Sequence, residues 1–317
     1  MPGKRKLYSG IGGQAVLEGI MMKNGEKYAV AVRKPDGKVA IEQDNFRGIL
    51  DGSLIKKIPF VRGIFNFIDS LVLGMKCLNY SASVGEGEDG EEGKKSVGEG
   101  LISALITCVS FVMAVGIFIV LPYYIASRFN GYVRNQSLIT IAEGIIRVVI
   151  FLIYVCGISL MKDIRRLYRY HGAEHKCINC IERGRPLTVK NVMRSSRLHR
   201  RCGTSFIFFV LFVSIVLFFF IKTDNVAERV AFRILLMPVV AGISYEIIRL
   251  AGRCDNIFVR IISAPGMAVQ RLTTKEPDEE MAEVAIAAVE AVFDWKQYLQ
   301  DNYGYRPEEL EAATEAK

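Results

Sequence analysis

The sequence predicts a mainly α-helical, polytopic membrane protein with about four transmembrane helices, a small N-terminal β module and a cytoplasmic C-terminal helix. Four apolar stretches are each long enough, at roughly 20 residues, to cross a bilayer. The hydrophobic fraction of 51% and the mean hydropathy of +0.25 exceed those of ordinary soluble proteins. Two alternating apolar and polar runs near the N-terminus flank a strong turn signal, which is typical of a β-hairpin.

The N-terminal β module is predicted over residues 1–52. Its runs YAVAVRK and KVAIEQ are joined by Pro35, Asp36 and Gly37, which favour a hairpin turn. The preceding stretch GIGGQAVLEG has glycines that permit tight turns and close backbone approach. Gln14 and Glu18 are polar residues within this apolar stretch. Glu18 is either an exposed strand residue or a carboxylate directed at a functional site, and with Gln14 it is a candidate supporting residue of such a site.

Two segments separate this module from the first predicted span. Residues 53–80 are apolar but are interrupted by Arg62, Asn66, Asp69 and Lys76, which predicts an amphipathic interfacial helix. Residues 81–100 contain six glycines and six acidic residues, which predicts a flexible linker.

The membrane domain is predicted over residues 101–250. Its spans are expected at residues 101–126, 138–161, 204–221 and 230–250. Glu143 and Arg147 lie one helical turn apart in the second span, and Arg233 lies in the fourth. Because charges inside a bilayer are costly unless they are paired, we expect Glu143 to neutralise Arg147 or Arg233.

The distribution of basic residues predicts the orientation. Residues 162–203 carry twelve Lys or Arg, whereas the loops at 128–137 and 222–229 carry two each. The positive-inside rule therefore places residues 162–203 and both termini in the cytoplasm of a bacterial cell, with the lipid bilayer as the main partner. This arrangement accounts for the net charge of +8 without nucleic acid, for which the chain shows no binding module.

The C-terminal region, residues 251–317, is predicted to contain one main cytoplasmic helix and a tail. Residues 251–275 are basic and read as irregular. A helix is then expected with Pro277 in its first turn and acidic residues after it. Its alanine- and valine-rich face is expected to pack on the cytoplasmic module, and the tail from Asp301 is expected to be loose.

All three histidines of the chain lie within one segment that runs from His171 to Cys202. If HGAEHK is helical, His171 and His175 share one face, with Glu174 beside them. The order His-x-x-Glu-His is the pattern of inverted zinc proteases, in which the two imidazoles bind the metal. The sequence therefore predicts a divalent metal site that favours zinc, with Glu174 as the general base.

The sequence does not decide which other residues complete the metal site. His199 and Cys202 are suitable residue types, and Glu246 at the cytoplasmic end of the fourth span is a possible third ligand. A structural zinc site of Cys177 and Cys180 with His199 and Cys202 is a competing arrangement. Polar residues beside a membrane, without metal, are the plain alternative.

Four separated motifs occur in one order: GGQAVLEGIMMK, YHGAEHK, HRRCGTSF and QRLTTKEPDEEMAEVAI. In these motifs the chain resembles the YqhQ-like family of bacterial multi-pass membrane proteins, across almost its whole length. The resemblance implies metal-dependent enzymes without indicating a substrate class. Matching motif positions support Glu18, His171, Glu174, His175, His199 and Cys202. Cys177 and Cys180 do not belong to the family pattern.

The function expected from these observations is that of a metal-dependent integral membrane enzyme, a hydrolase acting at the cytoplasmic face. One alternative is a non-catalytic scaffold or regulator in which a metal orders residues 162–203. Another is a transport or lipid-handling protein that uses the buried charges. An open coordination position facing a pocket would distinguish the enzyme, because only catalysis requires it.

Overall fold

The computed structural model describes residues 7–85, 97–132, 135–221, 223, 225–253 and 257–315. Four strands form one antiparallel sheet in chain order: β1 (Gly12–Val16), β2 (Gly19–Asn24), β3 (Lys27–Arg33) and β4 (Val39–Asn45). The first four helices are α1 (Val61–Gly85), α2 (Val97–Val115), α3 (Leu121–Ser127) and α4 (Gln136–Ile158). The later helices are α5 (Lys162–Glu182), α6 (Val189–Met193), α7 (Gly203–Phe218), α8 (Val226–Arg253), α9 (Ile257–Thr273), α10 (Glu279–Val292), α11 (Trp295–Tyr303) and α12 (Pro307–Glu315).

The predicted hairpin is confirmed as β3 and β4, with Gly37 at a φ of +86° in the connecting turn. GIGGQAVLEGIMMK contributes a second hairpin, β1 and β2, so the module is a four-stranded meander. β3 is buried along most of its length because both faces of the sheet are covered. One face packs on α1 through Leu73 and Cys77.

The other face of the sheet packs against α5 and α10. Ala282, Ala285 and Val289 of α10 are fully buried between the strands and α5, which confirms that this face packs on the N-terminal module. Asp278 is the N-cap of α10, and its side chain accepts a hydrogen bond from the backbone N–H of Met281 at 2.9 Å. Pro277 lies directly before this cap, so the prediction that Pro277 belongs to the first turn of the helix was wrong.

Three other sequence boundaries need correction. Within the predicted linker 81–100, α1 extends to Gly85 and α2 begins at Val97, and residues 86–96 lie outside the described residues. Residues 257–273, predicted as irregular, form α9, because Val259, Ser263, Gly266 and Gln270 recur at helical spacing and are buried. The tail beyond Asp301 is helical in α12, where Leu310 is fully buried in the main core.

Three of the described helices are long and apolar enough to cross a membrane: Leu105–Ser127, Ser137–Ile158 and Ala227–Gly252. The first contains a π-helical turn at Gly116–Val120. The predicted third span corresponds to α7, a shorter apolar helix of 16 residues, Gly203–Phe218.

The charges inside the long apolar helices are paired as predicted. Glu143 of α4 accepts hydrogen bonds from Arg147 at 2.8 Å and from Arg233 of α8 at 2.6 Å. All three side chains are buried. The contact between Glu143 and Arg233 links α4 to α8. Removing one partner would leave an uncompensated charge among apolar helices, so the pairing is expected to stabilise the arrangement of the two helices.

Candidate metal centre

The HGAEHK motif lies on α5, one stripe of which packs into the core while the adjacent stripe carries the histidines. Tyr170, Cys177 and Ile181 lie on a stripe packed into the core beneath the sheet. The adjacent stripe carries His171 and His175, whose ring centroids are 4.4 Å apart. The helical spacing predicted from the sequence is therefore confirmed.

Gly172, within the motif, permits a close crossing of the chain. A Cβ atom at this position would lie 2.0 Å from the backbone carbonyl oxygen of Lys275, so even alanine would collide with the main chain. The segment that leaves α9 consequently passes directly over α5. This crossing brings the end of α9 to the two histidines.

Cys202 completes a group of three potential ligands with His171 and His175. The ligand atoms of the three side chains all lie within 4.8 Å of one another, and this is the only such His, Cys or carboxylate group among the described residues. The Nε2 atom of His171 is 3.1 Å from the Sγ atom of Cys202. Zinc bonds of about 2.0–2.3 Å require ligand atoms roughly 3.5 Å apart in a tetrahedron, so this group needs only small adjustments to bind the ion.

Backbone carbonyls orient both imidazoles. The Nδ1–H of His171 donates to the carbonyl of Thr273 at 3.0 Å, and that of His175 donates to the carbonyl of Arg197 at 2.7 Å. With this proton on Nδ1, Nε2 is the nitrogen of each ring that could bind a metal ion in its deprotonated form. Such hydrogen bonds fix the tautomer and direction of metal-binding histidines.

Two buried polar side chains of α5 hold the loop that supplies the carbonyl for His175. Lys176 donates to the carbonyls of Met193 and Ser195 at 2.8 and 3.0 Å. Asn179 donates to the carbonyl of Leu198 at 3.0 Å. The loop has no regular secondary structure, so these backbone carbonyl oxygens have no partners within the loop. The side chains of α5 supply the hydrogen-bond donors instead.

Gln270 fastens the other end of this loop to α9. Its Oε1 accepts the backbone N–H of His199 at 2.9 Å, and its Nε2 donates to the carbonyl of His199 at 2.7 Å. The same amide group also donates to Ser205 at 2.6 Å. Sequence reasoning missed Lys176, Asn179 and Gln270, although the QRLTT motif was a signal for the last of them.

Glu174 lies beside the three ligands. Its Oε2 atom is 4.0 Å from the Nε2 atom of His171, and only 6% of its side chain is exposed. Burial raises the pKa of this carboxyl group above its ordinary value. On its far side the side chain touches β1, since a Cβ at Gly13 would lie 2.9 Å from the Cγ of Glu174.

Electrostatics favour a thiolate at Cys202. Burial alone would raise the pKa of the thiol, but His171 and His175 outweigh this effect and hold the pKa well below its ordinary value. For His171, burial opposes the charge, yet Cys202 and Glu174 raise the pKa of the imidazole to about 9. A thiolate is the form of cysteine that binds metals.

The structure places His199 beside the three ligands but engages its side chain elsewhere. Its Nε2 atom lies 3.5 Å from the carboxylate of Glu182 and 3.3 Å from the guanidinium of Arg201. The ring centroid is 5.6 Å from that of His175. In this arrangement His199 supports the fold around His175, and it is not a member of the ligand group.

Glu246 is not brought to this centre. Both of its carboxylate oxygens accept hydrogen bonds from Arg62, at 2.6 and 2.5 Å, where the start of α1 meets α8. The guanidinium thus satisfies the carboxylate that the sequence suggested as a third metal ligand. The expected ligand role of Glu246 has no support in this geometry.

The other candidate residues also have separate partners. Glu18 pairs with Arg166 at 2.5 Å and accepts from Tyr170 at 3.3 Å, in the turn between β1 and β2. The side chain of Gln14 packs on α1, where a Cβ at Gly74 would lie 2.5 Å from its Oε1 atom. Neither residue contacts the three ligands.

The alternative zinc site with Cys177 and Cys180 is not assembled. Both cysteines are fully buried in the core against the sheet and α10. The Cys180 thiol contacts the carbonyl of Pro186 at 3.5 Å. Their burial raises both thiol pKa values, which suits neutral packing residues.

Comparison with known proteins places the chain in a family. A family model described as "Protein of unknown function (DUF1385)" matches residues 58–295. The chain belongs to the DUF1385 family. The matched range includes the three candidate ligands and Glu174, and the match confirms the resemblance inferred from the motifs.

One relative in this family is similar over nearly its whole length. It is "Uncharacterized protein YqhQ" of Bacillus subtilis (strain 168), which is 37% identical over 292 residues, or 89% of this chain and 92% of that protein. No solved structure matches the chain.

Proposed function

We propose that this DUF1385 chain is a metal-dependent membrane enzyme, a hydrolase, that binds zinc through His171, His175 and Cys202. The observation that carries the proposal is the pair of carbonyl-oriented imidazoles directed at one cysteine. Such preorganisation is the hallmark of metal ligands, because a packing histidine does not need both a fixed tautomer and a second ligand within reach. Metal analysis of the purified protein and of ligand variants tests it: bound zinc should depend on these three residues and not on Glu174.

The donor set fits a catalytic site better than a structural one. Two histidines and one cysteine leave the fourth position of a tetrahedral zinc ion for water or substrate, whereas structural sites use four protein ligands. A zinc ion would supply a water of lowered pKa and polarise the bond to be cleaved. His171 is the member of the group with partial exposure, at 17% of its side chain, whereas His175 and Cys202 are buried.

Glu174 is assigned the role of general base. Its carboxylate lies 4.0 Å from the Nε2 atom of His171, so it would be the proton acceptor for a water that a bound metal activates. A carboxylate with a raised pKa accepts a proton more readily near neutral pH than an exposed one. The same residue could not be replaced by a packing side chain without losing this function.

A second candidate function is favoured by one contact. The 3.1 Å separation between Cys202 and His171, with His171 held by the Thr273 carbonyl, also matches a cysteine nucleophile with its base. This candidate needs no metal. If iodoacetamide still labelled Cys202 in protein with full zinc occupancy, the nucleophile role of Cys202 would be favoured.

Non-catalytic alternatives differ in what Glu174 does. In a scaffold, metal would order the loop between α5 and α7, and Glu174 would be dispensable. In a transport or lipid-handling protein, the paired charges Glu143, Arg147 and Arg233 would be the functional residues. Neither alternative explains a buried carboxylate beside a set of preoriented ligands.

We also propose a location in a bacterial cell membrane, with four spans that include the short helix α7. The termini and the metal centre would lie in the cytoplasm, because the segment between α4 and α7 carries the excess of basic residues. Reporters fused after Lys317 and within residues 181–190 are expected to be cytoplasmic, and one within 129–136 external. An external signal from the 181–190 fusion would reject this orientation.

A further inference from the structure

The outer edge of β1 has free hydrogen-bonding groups. Val16 pairs with Gly19 across a two-residue turn, so every second residue from Val16 bonds to β2. Gly13 and Ala15 lie between these positions and direct their N–H and C=O groups away from the sheet. Among the described residues, no hydrogen bond is formed to these outward groups.

This edge is also accessible. Gly12, Gly13 and Gln14 are exposed, and the two glycines present no side chains to a neighbouring strand. A cleft of about 350 Å³ lies beside this strand, between α1 at Ser70 and Leu73 and the face of the β1–β2 hairpin that carries Gln14, Met21 and Lys23. Natural proteins usually protect a strand edge with charge, proline or a covering element, but β1 has no charged residue or proline, and no strand of the described residues pairs with its outer edge.

The free edge adjoins the metal centre through a single side chain. Glu174 packs against Gly13, with 2.9 Å between its Cγ atom and the position of a Cβ at that glycine. Its carboxylate lies 4.0 Å from His171 on the other side. A strand that bonds to Gly13 would therefore lie close to Glu174.

We propose that the substrate of the metal centre is a polypeptide, which binds in extended form by adding a strand to the free edge of β1. The assignment rests on the proposed hydrolase function. Alternating N–H and C=O groups at strand spacing complement a peptide backbone and no other common substrate class. In the reaction, the oxygen of water adds to a peptide carbonyl carbon, Glu174 takes the water proton, the C–N bond breaks, and the proton passes to the departing amine.

The test uses zinc-loaded Glu174→Gln protein in detergent, which separates binding from cleavage. The probe is a fluorescein-labelled octapeptide of alternating valine and threonine. The control is the same labelled peptide with a methyl group on every internal amide nitrogen. Saturable binding of the first peptide is expected by fluorescence anisotropy. Binding of the methylated peptide should be at least about tenfold weaker, because it cannot donate main-chain hydrogen bonds.

A pair of proline variants locates the binding edge. Ala15→Pro removes one outward N–H of β1 and keeps the bonds to β2, and it should weaken binding about tenfold. Gln43→Pro is the matched control on β4, the opposite edge of the same sheet, where the N–H also points outward. This control should bind the peptide as the parent protein does.

The outcomes distinguish this inference from the function beneath it. Equal binding of the two peptides, or no binding by a fully zinc-loaded sample, would overturn the strand-addition proposal and leave the metal centre intact. A sample that binds no zinc would overturn the proposed function itself, and the substrate assignment with it. If Ala15→Pro does not fold, the comparison of the two peptides still decides.

Discussion

His175→Ala is expected to lower zinc affinity by at least about 100-fold and to leave the purified protein nearly free of metal. His175 is almost fully buried, and its Nδ1–H is already committed to the carbonyl of Arg197. Its loss leaves two ligands, and no other described His, Cys or carboxylate belongs to the group. Zinc content after dialysis and competition with a chromophoric chelator would measure the effect, and His171→Ala should behave alike.

His199→Ala provides the matched control. This histidine is also buried and lies 5.6 Å from His175 between ring centroids, but its side chain contacts Glu182 and Arg201. The variant should therefore keep its zinc while losing some stability. The opposite result, zinc lost from His199→Ala and kept in His175→Ala, would reject the assigned ligands and favour the cysteine-rich alternative.

Glu174→Gln is expected to lower turnover by about 10²–10⁴-fold. The variant should still bind zinc and should still fold. Glutamine fills the same space between Gly13 and His171 but cannot accept the water proton. Turnover would be followed with whichever substrate of a chromogenic ester, amide and peptide panel the wild-type protein hydrolyses. Wild-type turnover in a zinc-loaded Glu174→Gln sample would reject Glu174 as the general base.

Glu246→Gln is the control for this experiment, because the sequence suggested Glu246 as a ligand. Its carboxylate pairs with Arg62 between α1 and α8, away from the three ligands. The variant should keep both zinc and turnover, with a modest loss of stability from the weakened pair. Loss of zinc in this variant would restore Glu246 as a ligand.

Local patterns predicted the parts of the centre that one element provides. The spacing of His171, Glu174 and His175 is a property of a single helix, and helical periodicity gave it directly. The turn at Gly37 was predicted for the same reason. Each depends on residues fewer than ten positions apart.

The choice of the third ligand depends on tertiary contacts that the sequence does not display. Cys202 and His199 are equally plausible by residue type. Gln270, far along the chain, fixes the backbone of His199, and Glu182 engages its side chain. Glu246 was expected near the centre from its depth in the fourth span, but Arg62 from a different helix is its partner.

Zinc X-ray absorption on the purified wild-type protein tests the central claim most directly. The account predicts about one zinc per chain, with two imidazole nitrogens near 2.0 Å, one sulfur near 2.3 Å and an additional oxygen from water. A shell of three sulfurs, which would require Cys177 and Cys180 together with Cys202, would contradict it. Protein without bound metal would contradict it as well, and Cys202 with His171 would then lead as a nucleophile and base.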